Sequence, residues 1–239
     1  MAQPSTIEWT EATWNPTTGC TKISPGCKNC YAERFAERWR GIKGHPYEYG
    51  FNLRLWDERV DIPLSWKKPR VIFVNSMSDL FHEDVPSSFI ARVWQVMADT
   101  PQHTYQILTK RPDRMSAVLH EWDFPTLSNV WLGTSIEGPD VFDRLNHLRS
   151  TPAAIRFVSF EPLIASVRNA DLSDISWAIV GGESGPRARP MRPEWVDVVE
   201  LLCQENGVAF FFKQWGGVRK DRTGRKRRGR TYNAMPLQP

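Results

Sequence analysis

From residue 69 the chain repeats a block: about five consecutive apolar residues, a polar cluster, then a segment with helical spacing. The apolar runs are residues 70–75, 104–108, 129–133, 155–159, 177–181 and 208–212. Unbroken runs of this length predict strands buried on both faces, as in a parallel sheet. Between the first two, Phe89, Ile90, Val93, Trp94, Val96 and Met97 recur at helical spacing over 86–98. Further helices are predicted up to about Leu119, over 140–149 and over 193–205, the last with Pro193 at its first turn. A short strand around Ile7–Thr10 precedes them all. This β–α alternation predicts an α/β fold, a partial (β/α) barrel with about six to seven parallel strands.

Upstream of the repeat the pattern is less regular. Residues 31–40 read as a helix, with Tyr31, Phe35 and Trp39 at i, i+4 and i+8. Residues 41–68 have no clear period and contain Gly41, Gly44, Pro46, Gly50 and Pro63, which predicts an irregular insertion. Long loops in compact domains are often functional.

At 239 residues and 41% hydrophobic, the chain can bury a sizeable core. One domain is expected over residues 1–217, with 218–239 as a basic C-terminal tail. No apolar run approaches the roughly 18 residues of a membrane span. The N-terminus has neither a basic start nor a hydrophobic stretch, so no secretory signal is expected and a cytoplasmic location is. The net charge of +4 conceals an asymmetry: residues 219–230 hold eight Lys/Arg and one Asp, leaving −3 on the rest. That segment is either a nucleic-acid contact or a solvated loop.

Every apolar run ends in polar residues. In parallel α/β folds the working groups lie just past the strands' C-terminal ends. The candidates there are Ser76, Asp79, Lys110, Ser135, Glu137, Glu161, Glu183 and Lys213. Helix capping is the competing role for Ser and Asp, but it does not explain Lys110, Glu161, Glu183 and Lys213. Lys110 could instead pair with Asp113 or Glu137, and Glu183 could contact the glycine-rich loop at a helix start. Trp9, Trp14 and Trp215 lie near the expected mouth, where they either pack or stack on a base; Trp66, Trp94 and Trp195 read as packing groups.

Three of the four cysteines, Cys20, Cys27 and Cys30, fall within eleven residues, spaced C-x6-C-x2-C in a Gly/Ser/Pro-rich loop. A disulfide uses two thiols, a structural zinc usually four N/S ligands, and an iron–sulfur cluster three or four. Three soft ligands at a barrel mouth point to a metal centre with one coordination position open. Cys203, alone in an apolar run, reads as a small buried hydrophobe.

The three-cysteine loop after the first strand resembles that of the radical S-adenosylmethionine (SAM) enzymes. Four phrases resemble their spore photoproduct lyase branch: Asn29-Cys30-Tyr31-Ala32, Ser76-Met77-Ser78-Asp79-Leu80, Thr109-Lys110-Arg111-Pro112-Asp113 and Gly133-Thr134-Ser135-Ile136-Glu137. Nearly the whole chain is similar to a phage- and bacterium-associated family of three-cysteine-motif proteins. The shared phrases include TWNPTTGCTKISPGCKNCYAE, FVNSMSDLFHEDVP, LTKRPDRM, FVSFEPLI, IVGGESGPRARPM and FFFKQWGG. The chain departs from the usual radical SAM loop in having six residues between its first two cysteines and Asn29 before the third. Its Gly181-Gly182-Glu183 follows the sixth run, whereas the family's Gly-Gly-Glu usually follows the second strand.

The resemblance implies a radical SAM-type barrel, with a [4Fe–4S] cluster on Cys20, Cys27 and Cys30 and S-adenosyl-L-methionine on the open iron. Under it, Ser76 and Asp79 are expected at the amino group of SAM, Ser135 and Glu137 at its ribose, and Lys110 or Lys213 at its carboxylate. Glu161 and Glu183, with Lys110, are left as candidate catalytic groups for substrate or proton transfer. The substrate implied is a nucleic acid or nucleotide, and a small partner protein encoded nearby is expected. The alternative, from another class, is a zinc-stabilised nucleic-acid-binding protein with a Cys20/Cys27/Cys30/His45 site and no catalysis.

Overall fold

The structure is a computed structural model describing residues 3–5 and 7–237. Its strands and helices run β1 (Gln3–Pro4), β2 (Ala12–Trp14), β3 (Thr17–Thr18), α1 (Tyr31–Glu37), β4 (Arg54–Leu55) and α2 (Asp57–Val60). Next come β5 (Val71–Val74), α3 (Ser87–Asp99), β6 (Thr104–Thr109), α4 (Pro112–Glu121), β7 (Val130–Ser135) and α5 (Asp143–Ser150). The chain ends with β8 (Ile155–Phe160), β9 (Trp177–Gly181), α6 (Pro193–Asn206), β10 (Ala209–Gln214) and α7 (Lys220–Thr223). All six expected strands of the repeat are present. The first strand is displaced: residues 7–9 form a bend and turn, and the strand is Ala12–Trp14. The reason is pairing, since Ala12–Trp14 lies in register with Ile72–Val74 of β5.

The main sheet has the order β1-β2-β5-β6-β7-β8-β9-β10. Only β1 is antiparallel, so seven parallel strands follow one another in chain order and curl into a half-barrel. Right-handed crossovers between strands laid down in one direction bring the connecting helices to the same face. That outer face carries Ile72, Val74, Tyr105, Ile107, Leu132, Val158, Val180 and Phe212, which join residues of α3–α6 in the large core cluster. The β8–β9 link is the exception, crossing without a helix.

The concave face is packed separately. Phe73, Trp131, Phe157, Trp177, Ile179 and Phe211 line it, and Trp9 closes over them, 4.6 Å from Phe73 and 5.9 Å from Trp177 between ring centroids. Trp9 is therefore a packing residue. So is Trp14, buried on the outer face with Nε1 donating to the Arg59 carbonyl at 2.8 Å. Trp215 packs on Phe212 and donates to the Lys226 carbonyl.

The segment expected as a basic tail folds back along β10. Asn233 bridges antiparallel to Phe211, Phe212 N donates to the Tyr232 carbonyl, and Trp177 Nε1 donates to the Ala234 carbonyl. Buried Arg227 pairs with Asp197 and Glu200 of α6, and Arg228 with the same two carboxylates. A strand edge that would otherwise be open is covered. Among the described residues, no helix is long and apolar enough to cross a membrane.

Candidate functional site

The cysteine loop leaves β3 at Gly19, whose φ of +83° and absent Cβ are both required, because a Cβ there would lie 2.2 Å from the Asn52 carbonyl oxygen. It then passes over the C-terminal ends of the parallel strands and ends at Cys30, the residue before α1. Three strand-end loops hold it from below, each at a different point.

The first hold comes from the β6 loop. Arg111, buried, donates from Nη1 to Cys20 Sγ (3.4 Å) and from Nη2 to Thr21 Oγ1 (2.8 Å) and the Thr21 carbonyl (3.3 Å). Asp79 fixes this arginine: its carboxylate accepts from Arg111 Nη1 (3.3 Å), Thr109 Oγ1 (2.7 Å), Lys110 N (3.1 Å) and Phe81 N (3.0 Å). Burial, followed by the Asp79 charge, pushes the Cys20 thiol up to about 11 despite Arg111 opposing it. His82 Nε2 adds a 2.9 Å hydrogen bond to Thr21 Oγ1.

The second hold comes from the β7 loop. Buried Glu137 accepts from Gly26 N at 3.1 Å through Oε1 and from Arg144 Nη1 at 2.9 Å through Oε2. A side chain at position 26 would meet this carboxylate at 2.9 Å, so glycine permits the approach. Burial alone would raise the Glu137 pKa, but the Lys110 charge, a Ser24 hydrogen bond, Arg144 and Gly26 N together hold it below the usual glutamate value.

The third hold comes from the β9 loop. Glu183 Oε2 accepts from Asn29 Nδ2, Arg189 N and Arg189 Nε, each at 2.9 Å, and Oε1 from Arg189 Nη2 at 2.6 Å. Arg189 also reaches the Pro25 carbonyl at 3.0 Å. Burial works against ionisation of Glu183, but the hydrogen bonds from Arg189 and Asn29 outweigh it and lower its pKa. Thus Asp79, Glu137 and Glu183, expected to touch a ligand, are each engaged inside the protein and fix the cysteine loop.

The other candidates fall into two groups. Ser76 Oγ donates to Asn15 Oδ1 (3.2 Å), its carbonyl accepts from Tyr31 OH (2.5 Å), and Ser135 is buried at the end of β7 with its carbonyl on Arg144. Glu161 and Lys213 were expected to act apart, but Lys213 Nζ lies 2.8 and 3.0 Å from the two Glu161 oxygens. Gly181 leaves room for that carboxylate between β8 and β10. Lys110 differs from all of these. It is half-buried, its ammonium forms no ion pair with Asp113 or Glu137 within 4.0 Å, and it acts on Glu137 only through its charge.

Cys20, Cys27 and Cys30 are free thiols of intermediate exposure, and Cys20 and Cys30 pack against the same small cluster of Ala32, Ala36 and Phe51. Among the described residues no group of three or more His, Cys, Asp or Glu side chains stands in a metal-holding arrangement. The fit to a cluster therefore rests on the donor set and its support: three unpaired thiols on one loop, with a guanidinium on Cys20 and backbone held from three strands. His45 does not join them as a fourth ligand. It stacks on Trp39 at 4.3 Å, and its Nδ1 accepts from Tyr47 N at 3.1 Å, so the zinc alternative gains no support. Cys203 is buried, and burial pushes its thiol up to about 12.

Arg111, Asn29 and Arg189 are the site residues that sequence reasoning missed. All three sit inside quoted phrases, Arg111 beside Lys110, Asn29 beside Cys30 and Arg189 near the end of IVGGESGPRARPM, but the groups they hold in the cysteine loop or reach from it are mostly far away in sequence.

The fold class is that of the radical SAM half-barrels. A tyrosine-to-phenylalanine variant of spore photoproduct lyase superposes with a TM-score of 0.60 at 12% identity, covering 90% of this chain and 79% of that one. Spore photoproduct lyase complexed with dinucleoside spore photoproduct superposes with a TM-score of 0.53 at 13% identity over 86% of this chain. This chain spans 64% of the length of that lyase chain. A cysteine-to-alanine variant gives 0.58 at 13% identity, covering 89% and 78% of the two chains. No curated protein matches the sequence. The chain belongs to the family described as "Protein of unknown function (DUF5131)", whose model matches residues 4–236.

Proposed function

We propose that this protein is a radical SAM-type iron–sulfur enzyme whose cluster is held by Cys20, Cys27 and Cys30. The observation that carries the reading is the suspension of the loop bearing these three thiols over the strand ends by Arg111, Glu137 and Glu183. Each of three strands sends a polar side chain to a loop whose own backbone contains little regular structure. Such a support preorganises ligands that would otherwise be mobile. When bound, a [4Fe–4S] cluster with one open iron supplies the electron for reductive cleavage of S-adenosylmethionine.

The protein's own residues divide the remaining work. Lys110, with no ion-pair partner among the described residues, is the group for the SAM carboxylate. Ser76 and Ser135 offer hydroxyls at the ends of β5 and β7, the strands on either side of β6, for its amino group and ribose. The Glu161–Lys213 pair, on the side of the mouth away from the cysteine loop's entry, faces substrate and can move a proton. The bound dinucleotide photoproduct belongs to the similar lyase; for this protein a nucleic acid or nucleotide substrate is our reading.

The test is anaerobic reconstitution with iron and sulfide. A broad absorption near ~400 nm with about four irons per chain, followed by dithionite-dependent release of 5′-deoxyadenosine, is expected. A colourless protein that takes up no iron would overturn the reading.

A further inference from the structure

Helix α1 turns its alanines toward the protein and leaves its aromatic stripe outside. Ala32 and Ala36 face the protein, while Tyr31, Phe35 and Trp39 are 53%, 43% and 37% exposed. The insertion after α1 extends the row instead of covering it. Tyr47 meets Phe35 edge-on at 5.6 Å, His45 stacks on Trp39 at 4.3 Å, and Tyr49 stands exposed beside them in sequence. The row begins at the mouth, where Tyr31 directly follows Cys30 and its hydroxyl donates to the Ser76 carbonyl. Exposed rings in a row are uncommon on a surface without a binding task.

The stretch that carries the row is net positive. Residues 20–53 hold six Lys/Arg and three Glu, so this stretch carries +3. The three carboxylates are already engaged: Glu33 with Lys22 (2.7 Å), Glu37 with Arg40 (2.6 Å) and Glu48 with Gly44 N (3.0 Å). Lys28, Arg38 and Lys43 are exposed and have no acidic partner within 4.0 Å among the described residues. Rings one helical turn apart, interleaved with uncompensated cations, suit a ligand that alternates flat π-faces with negative charge. An apolar protein partner would gain nothing from the cations.

We propose that the exposed face of α1 and the following loop form a docking track for single-stranded nucleic acid leading into the mouth. Bases stack on Tyr31, Phe35 and Trp39, and phosphates lie against Lys28, Arg38 and Lys43. Exposed rings on α1 and the turn after it offer faces to unstacked bases, which favours a single strand over a duplex. The proposal rests on the enzyme reading only in treating the bound strand as substrate. The basic segment 219–230 is a poorer candidate for the track: Arg227 and Arg228 are paired with Asp197 and Glu200, and Arg225 and Arg230 are held by Asn233 and Tyr232, so half of its cations are tied to the protein.

The test is a fluorescence-anisotropy titration of the full chain, without cluster, with a dye-labelled oligothymidylate at several salt concentrations. Wild-type protein should bind, and an unlabelled duplex should compete poorly. The double variant Phe35→Ala/Trp39→Ala should bind at least roughly tenfold more weakly. Arg38→Gln/Lys43→Gln should flatten the slope of log affinity against log salt by about 0.7 for each phosphate no longer neutralised. Arg222→Gln/Lys226→Gln, in the basic segment, should change neither. Circular dichroism melts on each variant separate weakened binding from unfolding, and the salt slope reads the cations independently of the rings. Absence of wild-type binding, equal binding by the ring variant, or loss confined to the Arg222/Lys226 variant would each overturn the proposal. Iron uptake is measured on the same preparations. Ring-dependent binding without iron uptake would sink the enzyme reading and leave the track, and the reverse result would do the opposite.

Discussion

The two ends of the half-barrel use the same strands for opposite purposes. Toward the N-terminal ends, the concave face is filled by Trp9, Phe73, Trp131, Phe157 and Trp177, whose rings contact one another edge-on or tilted. Toward the C-terminal ends, the loops present Asp79, Arg111, Glu137, Glu183, Glu161 and Lys213, almost all of them in charge-assisted hydrogen bonds. One end stabilises by removing apolar area from water; the other uses buried charge to hold a loop in place. The difference teaches that the mouth is built for position, because charges pointed at named atoms fix geometry where apolar packing would not.

Substitutions at the two ends should therefore fail differently. The largest effect is expected at the thiols: Cys20→Ala, Cys27→Ala or Cys30→Ala should each abolish cluster iron, whereas Cys203→Ala should leave iron content unchanged, as read by iron and sulfide assay. At the closed end, Trp177→Ala should cost about 3–5 kcal/mol in urea denaturation, with no specific loss of iron from the protein that remains folded. Glu183→Ala should cost less, about 1–3 kcal/mol, because it leaves Arg189 and Asn29 without their acceptor. It should lower iron uptake more than its stability cost explains. If Trp177→Ala and Glu183→Ala lose iron in proportion to stability alone, the two ends are not functionally distinct.

A pH titration sharpens the same contrast. Glu137 and Glu183 both have folded pKa values below the ordinary glutamate value. Their contribution is fully present above about pH 4.3 and is lost as pH falls through the depressed folded values. The wild-type Tm should drop across that acid window, and Glu137→Gln/Glu183→Gln should start lower and fall less. The smallest effect on stability is expected at Lys110→Met, within about 0.5 kcal/mol, since the change removes a charge that acts on Glu137 from a distance and no ion-pair contact with Asp113 or Glu137. Equilibrium binding to the reconstituted protein should nevertheless show weakened SAM affinity.

Much of this was legible in the sequence because it is local. Apolar runs such as Ile72–Val74 and Trp177–Val180 mark strands by burial on both faces, and Pro193 marks the start of α6. The first strand was misplaced because Ile7 and Trp9 are apolar for another reason: they plug the concave face, while the shorter Ala12–Trp14 pairs with β5. The spacing of Tyr31, Phe35 and Trp39 marked a helix, which ends at Glu37 and leaves Trp39 just beyond it; that Ala32 and Ala36 form its buried side was not legible in that spacing.

By itself the sequence determined the α/β repeat, the three thiols on one loop and the polar residues at each strand end, since these follow from periodicity and spacing along the chain. Only the tertiary structure decided what those polar residues do. Glu137 meets Gly26 and Glu183 meets Asn29 across 111 and 154 residues of chain, distances at which no local pattern carries information. It also tied the most basic stretch of the chain to Asp197 and Glu200 of α6, just before residues 232–234 cover the β10 edge. A charge's role is set by the partners that folding brings to it, and those are chosen by the order and curl of the strands.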